Sequence, residues 1–453
     1  MPGANRLIAW GSVFILLVFS GCNREAGRNG SALYILWADW EPARTLQALA
    51  EEYTRETGVE VKVVRKSWDG AFTEAAFTEF RNRDDNYDII IGDSQWLGLG
   101  VVGGHYLELT DWMPAHIPME DIVPQALLWY SEWPQGSRRY FAIPCQADAM
   151  GWVYRRDLFE SETHRRAFAG FLEQRGIPDF PLGVPQTWEQ LEWIAAYFQD
   201  KVPGMHGIAM PTSRKYDMIT MSYEQLLWAF GGDFGDYRRN RATFQSPEAV
   251  EALQFFNDLL KSSSPGGRNL GFGDVTAQML SGRVAMACNF FAFFPALVNP
   301  ATNPDYYDKL GFFNAPAHVD RNGVKRRATS LGGQGMSVNA HISPARQARA
   351  KAFMQWFSSR DIQQKWALKG GISANQEVLQ SPDFLTALPY NSLFEEAFGL
   401  MKDFWSTPEF GALLEVTQRE ICAAIQRDKA PLDAVKAIQT EHERILHERR
   451  WKL

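Results

Sequence analysis

The sequence has no excess of basic residues. Lys and Arg number 46 against 53 Asp and Glu, which leaves a net charge of −7 over 453 residues. A nucleic-acid partner requires a basic face on the protein, so the sequence predicts no nucleic-acid partner. Charged residues at 22% and apolar residues at 45% are ordinary values for a folded chain. A chain of this length is expected to form two or three domains.

Cysteine is also scarce. Of the four cysteines, Cys145, Cys288 and Cys422 lie outside the N-terminal segment, and no pair has the Cys-x-x-Cys spacing of a zinc site. An odd number argues against a disulfide framework. We therefore expect buried reduced thiols, with a Cys145–Cys288 bridge as the alternative, and no metal site.

Catalytic and cofactor signatures are missing. The sequence has no P-loop and no Gly-x-Ser-x-Gly elbow. Residues 98–103 satisfy G-x-G-x-x-G, but residues 93–97 separate them from the preceding predicted strand, whereas the dinucleotide fingerprint starts directly after a strand. His442 and His447 are five positions apart, so they miss a common helical face. We predict no cofactor and no enzyme, although a glycosidase needs only two carboxylates.

The apolar run near the N-terminus is short. Arg6 precedes the run from Leu7 to Phe19, which is shorter than the roughly 20 residues that cross a membrane and is typical of a signal-peptide core. Ser20, Gly21 and Cys22 then resemble the bacterial lipobox, in which the Cys is acylated. We predict a signal peptide over residues 1–21, a lipoprotein tether over 22–30, and membrane attachment through lipidated Cys22. Secretion without lipidation and an uncleaved anchor are the alternatives.

Strands and helices alternate from residue 32 onward. Apolar runs predict strands over 32–37, 59–64 and 87–92, and helical spacing predicts helices over 42–57 and 71–80. This βαβαβ order implies a mainly parallel sheet with helices on both faces. Capping residues predict further helices beginning at Thr187, Ser246 and Ser343, and the chain from Asn391 is predicted to be almost wholly helical.

Each of the three predicted strands is followed by a tryptophan and a hydrogen-bonding side chain. Ligands of open α/β sheets occupy the crevice beyond the carboxyl ends of the strands. A sugar ring offers hydroxyls at its rim and C–H groups on its faces, so its site needs carboxylates or amides around an aromatic face. Core packing is the alternative for any single tryptophan. The predicted ligand contacts at these strand ends are Asp39, Trp40, Trp68, Asp93, Gln95 and Trp96.

Several short motifs occur in a fixed order along the chain. They lie at residues 88–93, 104–109, 142–148, 154–159, 185–191, 282–286 and 331–335. In this order the chain resembles the extracellular solute-binding proteins of ABC importers, of the sugar-binding type related to maltose-binding protein. The resemblance covers essentially the whole mature chain.

The resemblance implies an α/β, two-lobed periplasmic-binding-protein fold of type II, with the ligand cleft between the lobes. Lobe one would comprise residues 31–143 plus 293–337, and lobe two residues 144–292 plus 338–453. The glycines at 332 and 335 then read as hinge positions that need backbone freedom. The resemblance adds the following candidate ligand contacts: Gln146, Asp148, Asn289, Phe290, Gly333, Gln334 and Trp405.

These expectations combine into a function. The chain is predicted to be a monomeric substrate-binding lipoprotein of an ABC transporter, located in the periplasm or on the cell surface. It would capture a sugar or sugar derivative and deliver it to the transmembrane permease subunits. The alternatives are an exported carbohydrate-active hydrolase and a signalling lipoprotein that uses the same fold without transport.

Overall fold

The computed structural model describes residues 32–68, 70–239 and 241–449. The predicted signal peptide, the tether and the lipidation site Cys22 lie outside the described residues. Within those ranges, no helix is both long enough and apolar enough to cross a membrane.

The strands of the described chain form one large sheet and two small hairpins. In chain order they are β1 Leu33–Ala38, β2 Val61–Lys66, β3 Ile89–Asp93, β4 Ile143–Arg155, β5 His206–Ala209, β6 Gly235–Asp236, β7 Arg241–Ala242, β8 Val284–Phe290, β9 Leu310–Phe313, β10 His318–Val319, β11 Lys325–Arg326, β12 Thr329–Val338 and β13 Met401–Lys402.

Helices cover both faces of the large sheet. They are α1 Glu41–Thr57, α2 Ala71–Asn82, α3 Trp96–Val102, α4 Met113–His116, α5 Pro124–Tyr130, α6 Arg156–Glu160, α7 Glu162–Glu173, α8 Trp188–Lys201, α9 Met218–Phe230, α10 Pro247–Leu259, α11 Phe272–Leu280, α12 Pro295–Val298, α13 Pro344–Phe357, α14 Arg360–Leu368, α15 Gln376–Leu379, α16 Pro382–Ala387, α17 Phe394–Leu400, α18 Phe410–Ile425 and α19 Pro431–Glu448. Short 3₁₀ turns cover Met119–Asp121, Tyr237–Arg239, Leu260–Ser262, Phe291–Phe293 and Asn391–Leu393.

The predicted βαβαβ unit is present. β1 pairs in parallel with both β2 and β3, and α1 ends at Gly58 in the left-handed conformation. The second strand begins two residues later than predicted, because Val59 still closes the turn with a bond to the Thr57 hydroxyl. The three predicted capping residues also act as caps, since their hydroxyls accept backbone N–H groups of α8, α10 and α13.

Two long strands connect the two halves of the large sheet. The strand order is β2-β1-β3-β12-β4-β8-β5, with β12 antiparallel to both β3 and β4. We call β4 and β12 the crossing strands. Gly333 on β12 has φ +86°, and a Cβ there would lie 2.0 Å from the carbonyl oxygen of Gln146. The close approach of the two crossing strands therefore requires glycine at position 333.

The strand pairings favour different lobe boundaries from those predicted. β9 pairs with residues 152–155 of β4, beside β8, and Trp366 of α14 stacks near Trp37 of β1. We propose on these contacts that residues 310–328 belong to lobe two and residues 338–368 to lobe one. The boundaries implied by the resemblance place both segments in the opposite lobe, because short motifs carry no information on long-range pairing.

The C-terminal portion was predicted to be almost wholly helical from Asn391, but it also contains a strand and an irregular segment. Met401 and Lys402 form a short strand in parallel with Thr329 and Ser330 of β12, and an irregular segment continues to residue 409. This segment returns the chain to the crossing strands before α18 and α19 form. Among the cysteines, Cys145 and Cys288 are both buried and free, so they do not form the alternative bridge.

Candidate functional site

A narrow cavity lies where the carboxyl ends of β1, β2 and β3 meet β12 and the start of α9. Its volume is about 40 Å³. We call it the interlobe cavity. Its lining residues are Trp40, Trp68, Asp93, Ser94, Gln95, Asp148, Tyr216, Asp217, Met221, Phe272, Phe290, Phe293, Leu331, Gly332, Gly333 and Gln334.

Asp93 is the centre of the polar network in the interlobe cavity. It ends β3, where Gln334 of β12 lies directly opposite. The Gln334 amide donates to Asp93 Oδ1 at 2.6 Å, and the Tyr216 hydroxyl donates to Asp93 Oδ2. Gln334 is itself fixed, because its Oε1 accepts the indole N–H of Trp37. The sequence thus places one carboxylate between a donor from the crossing strand and a donor from lobe two.

A second direct contact joins the lobes. Gln95, just after β3, donates from Nε2 to Asp217 Oδ2 at 2.9 Å. Asp217 immediately precedes α9 in lobe two. Together with the bond from Tyr216 to Asp93, this contact holds the lobes against each other in a closed arrangement.

The carboxyl groups of the interlobe cavity, and that of Asp403 behind it, have raised pKa values. Burial raises the pKa of Asp93, although bonds from Tyr216 and Gln334 oppose the rise. Burial, and then the neighbouring charge of Asp93, raises the pKa of Asp217 well above its ordinary value. Burial also raises the pKa of Asp403, which accepts the Ser94 hydroxyl, to about 6. Desolvation dominates at all three sites.

Asp148 faces the interlobe cavity but is held by backbone. Its Oδ1 accepts the N–H of Ala149 at 2.8 Å, and its Oδ2 accepts the N–H of Ala292 at 3.3 Å. Burial raises its pKa to about 8. Asp148 therefore ties a crossing strand to the segment after β8, a structural role that the sequence did not predict.

Aromatic rings form the other wall of the interlobe cavity. Trp40 stands edge-on to Trp68, with ring centres 5.3 Å apart, and lies 6.1 Å from Phe293. Trp68 is edge-on to Tyr216 at 4.9 Å. The rings from lobe one and lobe two thus meet across the cavity, and they offer flat apolar surface next to the carboxyl groups.

Four buried polar atoms of this wall and network have no hydrogen-bond partner. They are the indole nitrogens of Trp40 and Trp68, Gln95 Oε1 and Asp217 Oδ1. Buried polar groups are normally paired. These atoms comprise two donors and two acceptors, so a ligand with hydroxyl groups, which both donate and accept, would match them.

Eight of the predicted ligand contacts line the interlobe cavity, and five lie elsewhere. The eight are Trp40, Trp68, Asp93, Gln95, Asp148, Phe290, Gly333 and Gln334. Asp39 is at the surface, where its carboxylate pairs with Arg44 at 3.0 Å and with Arg65 at 3.3 Å. Trp96 is a core residue that packs on Phe72 and Phe77 at 5.1 Å.

The other three predicted contacts outside the interlobe cavity are buried, and each forms a hydrogen bond with the backbone. Gln146 accepts the backbone N–H of Ile372, and Asn289 donates to the carbonyl of Phe272. Trp405 donates to the carbonyl of Phe410 and lines a separate outer groove. The hydrogen bonds of these three residues serve the fold rather than the cavity, although the Gln146 amide nitrogen has no partner.

The lobe-two side of the cavity was not predicted from the sequence. Tyr216, Asp217 and Phe272 line it, and neither they nor Phe293 were among the predicted contacts. The signal for the first two was available: they follow β5, so the strand-end rule used for lobe one points to them as well. β5 is four residues long, and no strand was predicted there.

Metal binding finds no support in the part of the chain that the structure describes. No group of three or more His, Cys, Asp or Glu side chains is placed to hold an ion there. The G-x-G-x-x-G segment lies in α3, where a Cβ at Gly98 would approach the backbone of Ser406 to 2.7 Å. These glycines permit close packing.

Comparison with known proteins identifies the fold and the family. Residues 37–364 match the family model of bacterial extracellular solute-binding proteins. The chain belongs to this family. Members of the family bind solutes outside the cytoplasm, as the family description states.

Individual relatives of this solute-binding protein are distant in sequence. It is 22% identical, over 93% of its length and 90% of the relative's, to a probable amino-acid ABC transporter periplasmic-binding protein of Sinorhizobium fredii. An ABC transporter solute-binding protein from Agrobacterium radiobacter K84, in complex with ribitol, matches with a TM-score of 0.77, 22% identity and coverage of 92% and 98% of the two chains. The maltose-bound MalE3 of T. maritima matches with a TM-score of 0.77, 23% identity and coverage of 91% and 98%. These structures share the two-lobed α/β fold.

Proposed function

We propose that this solute-binding protein is the receptor of an ABC importer and captures a sugar or sugar derivative between its lobes. The observation that carries the proposal is the interlobe cavity itself. Indole faces of Trp40 and Trp68 lie beside Asp93 and Asp217, which is the combination that a polyhydroxylated ligand requires. The sugar and sugar-alcohol ligands of the two similar structures support the same class of solute.

The mechanism is capture by lobe closure. The solute would bind to lobe one at the strand ends and then contact Tyr216 and Asp217 of lobe two as the cleft shuts. Such contacts on both lobes shift the hinge equilibrium toward the closed form. The closed form would be the one that the transmembrane permease subunits recognise, and it would act as a monomer.

The closed arrangement leaves little room between the lobes. The cavity volume of about 40 Å³ is well below the roughly 300–1,000 Å³ of ligand pockets, so a solute would enter only when the lobes separate. The alternative functions considered from the sequence are an exported hydrolase and a signalling lipoprotein. No feature of the cavity favours either of them. We expect no product from oligosaccharides incubated with the protein.

A thermal-shift screen over a carbohydrate library tests the proposed function. A solute at 100 times its Kd should stabilise the protein by about 2.7 kcal/mol, and the hit should be confirmed by calorimetric titration. The matched pair of variants is Trp68→Ala, at the cavity, and Trp356→Ala, on α13 outside it. We expect only the first to abolish the shift. A library without any hit would contradict the proposed function.

Lipid anchoring is part of the proposal. Cys22 follows Ser20 and Gly21 as in a lipobox, and the tether precedes the first strand. We expect Cys22→Ser to release the protein from membranes while its solute affinity stays unchanged. Retention of the variant in the membrane fraction would contradict acylation at Cys22.

A further inference from the structure

Acidic and phenolic groups are the titratable side chains that line the interlobe cavity. Asp93, Asp148, Asp217 and Tyr216 face it, and the described lining contains no Lys, Arg or His. A carboxylate or phosphate on the solute would therefore meet only like charge there, with no cation to neutralise it.

The residues behind this lining add to the negative character. Asp403 lies behind Ser94, and Glu224 of α9 is fully buried beside the Ser330 hydroxyl. The Lys402 amine, which acts on Glu224 from a distance, is paired with Asp233 at 3.5 Å and lies over the ring of Trp228.

The cations at the mouth of the cleft belong to a different surface. Arg214 and Lys215 are exposed and line an outer groove, where Arg214 pairs with Glu415. They are absent from the lining of the interlobe cavity. The acids inside are thus left without a protein counter-ion.

An independent observation points to a ligand that donates hydrogen bonds. Gln95 and Asp217 are both more than nine-tenths buried, and each has one oxygen in the cavity lining without a partner. An amide oxygen or an ionised carboxylate oxygen without a partner in such a place needs a donor. The adjacent faces of Trp68 and Tyr216 suit a cation, since aromatic faces attract positive charge.

We propose that the solute carries a positively charged amine in addition to hydroxyl groups, as in an amino sugar or an amino alditol. The amine would lie between Asp93 and Asp217, and the hydroxyls would meet the indole N–H groups of Trp40 and Trp68. This inference rests on the proposed function and narrows its substrate class. It also sets the protein apart from receptors for acidic solutes.

The protonation state of the cavity gives the inference a second readout. The titratable groups that face the proposed amine position are Asp93, Asp148, Asp217 and Tyr216, with Asp403, Glu224 and Lys402 behind them. Burial raises the pKa of Asp93 and of Asp403 to about 6, so near pH 6 both carboxyl groups are partly protonated before a ligand binds. An ammonium group favours their ionised forms. Amine binding should therefore release protons and strengthen between pH 5.5 and pH 7.5.

Calorimetric titration with matched pairs tests the inference. Glucosamine is compared with glucose, galactosamine with galactose, and 1-amino-1-deoxysorbitol with sorbitol, at pH 5.5 and pH 7.5 and in two buffers of different ionisation enthalpy. We expect the amine to bind about 10- to 100-fold more tightly in at least one pair at pH 7.5, the range given by one charge-assisted hydrogen bond. We also expect proton release on amine binding only.

Two variants complete the test. Asp217→Asn keeps the shape of the side chain and should remove the preference for the amine. Asp361→Asn removes an equal charge from an exposed, paired position on α14 and should keep the preference. Wild-type protein that binds the neutral member of every pair as tightly as the amine, without proton release, would overturn the inference and leave the proposed function standing. If no carbohydrate binds at all, both fail.

Discussion

Removing the Tyr216 hydroxyl should open the cleft. In the closed form this hydroxyl donates from lobe two to Asp93 of lobe one, whereas in an open form both groups would face water. A hydrogen bond to a charged acceptor such as the ionised Asp93 carboxylate is worth about 1.5–3 kcal/mol. Tyr216→Phe should therefore shift the ratio of closed to open forms by about 10- to 100-fold.

The smaller fraction of closed protein in Tyr216→Phe should also lower the ligand affinity. If the closed form binds the solute most tightly, the apparent affinity falls with the fraction of closed protein. The Tyr216 bond also opposes the rise in the pKa of Asp93, so the variant should hold the Asp93 proton to higher pH. Small-angle scattering measures the opening as an increase in the radius of gyration, and calorimetry measures the affinity.

Tyr223→Phe is the matched control. Its hydroxyl is buried and donates to the carbonyl of Ala249 at 2.9 Å, between two helices of lobe two. We expect this variant to lower the melting temperature while its scattering profile and solute affinity stay unchanged. The reasoning is refuted if Tyr216→Phe behaves in the same way as this control.

Four other substitutions have defined outcomes. Gly333→Ala should reduce stability strongly, measured by denaturant unfolding, because a Cβ would overlap the carbonyl oxygen of Gln146 and φ is +86°; an unchanged midpoint would contradict the close strand crossing. Trp96→Ala should cost about 3–5 kcal/mol of stability without a specific loss of affinity. Trp68→Ala should instead lower the solute affinity with little loss of stability. Asp148 holds its proton to a pKa of about 8 in the folded protein against an ordinary value of 3.8. Because the folded state binds this extra proton between those values, the free energy of unfolding should fall as pH rises from 5 to 8, and less steeply in Asp148→Asn.

Local patterns in the sequence were sufficient to predict the first half of lobe one. Capping residues and apolar spacing are properties of consecutive residues, so the helix ending at Gly58 and the strands around it follow from them. The pairing of β9 with β4 joins residues about 150 positions apart and depends on the closing of the whole sheet. Motif order contains no such information, which is why the predicted lobe boundaries differ from the ones proposed from the contacts.

The site could be predicted only in part. The strand-end rule led to Asp93 and to two of the cavity tryptophans, but it cannot tell which way a side chain turns after the strand. Trp96 begins a helix and turns into the core, where it meets Phe72. Asp148 lines the cavity as expected, yet both its oxygens serve the backbone, a role that depends on the distant segment at Ala292.

A crystal structure of the protein with the tightest-binding solute of the library screen tests the central claim most directly. We predict the solute in the interlobe cavity, against the rings of Trp40 and Trp68, with hydrogen bonds to Asp93 and Asp217 and contacts to both lobes. A solute bound outside that cavity, or touching one lobe only, would contradict the account.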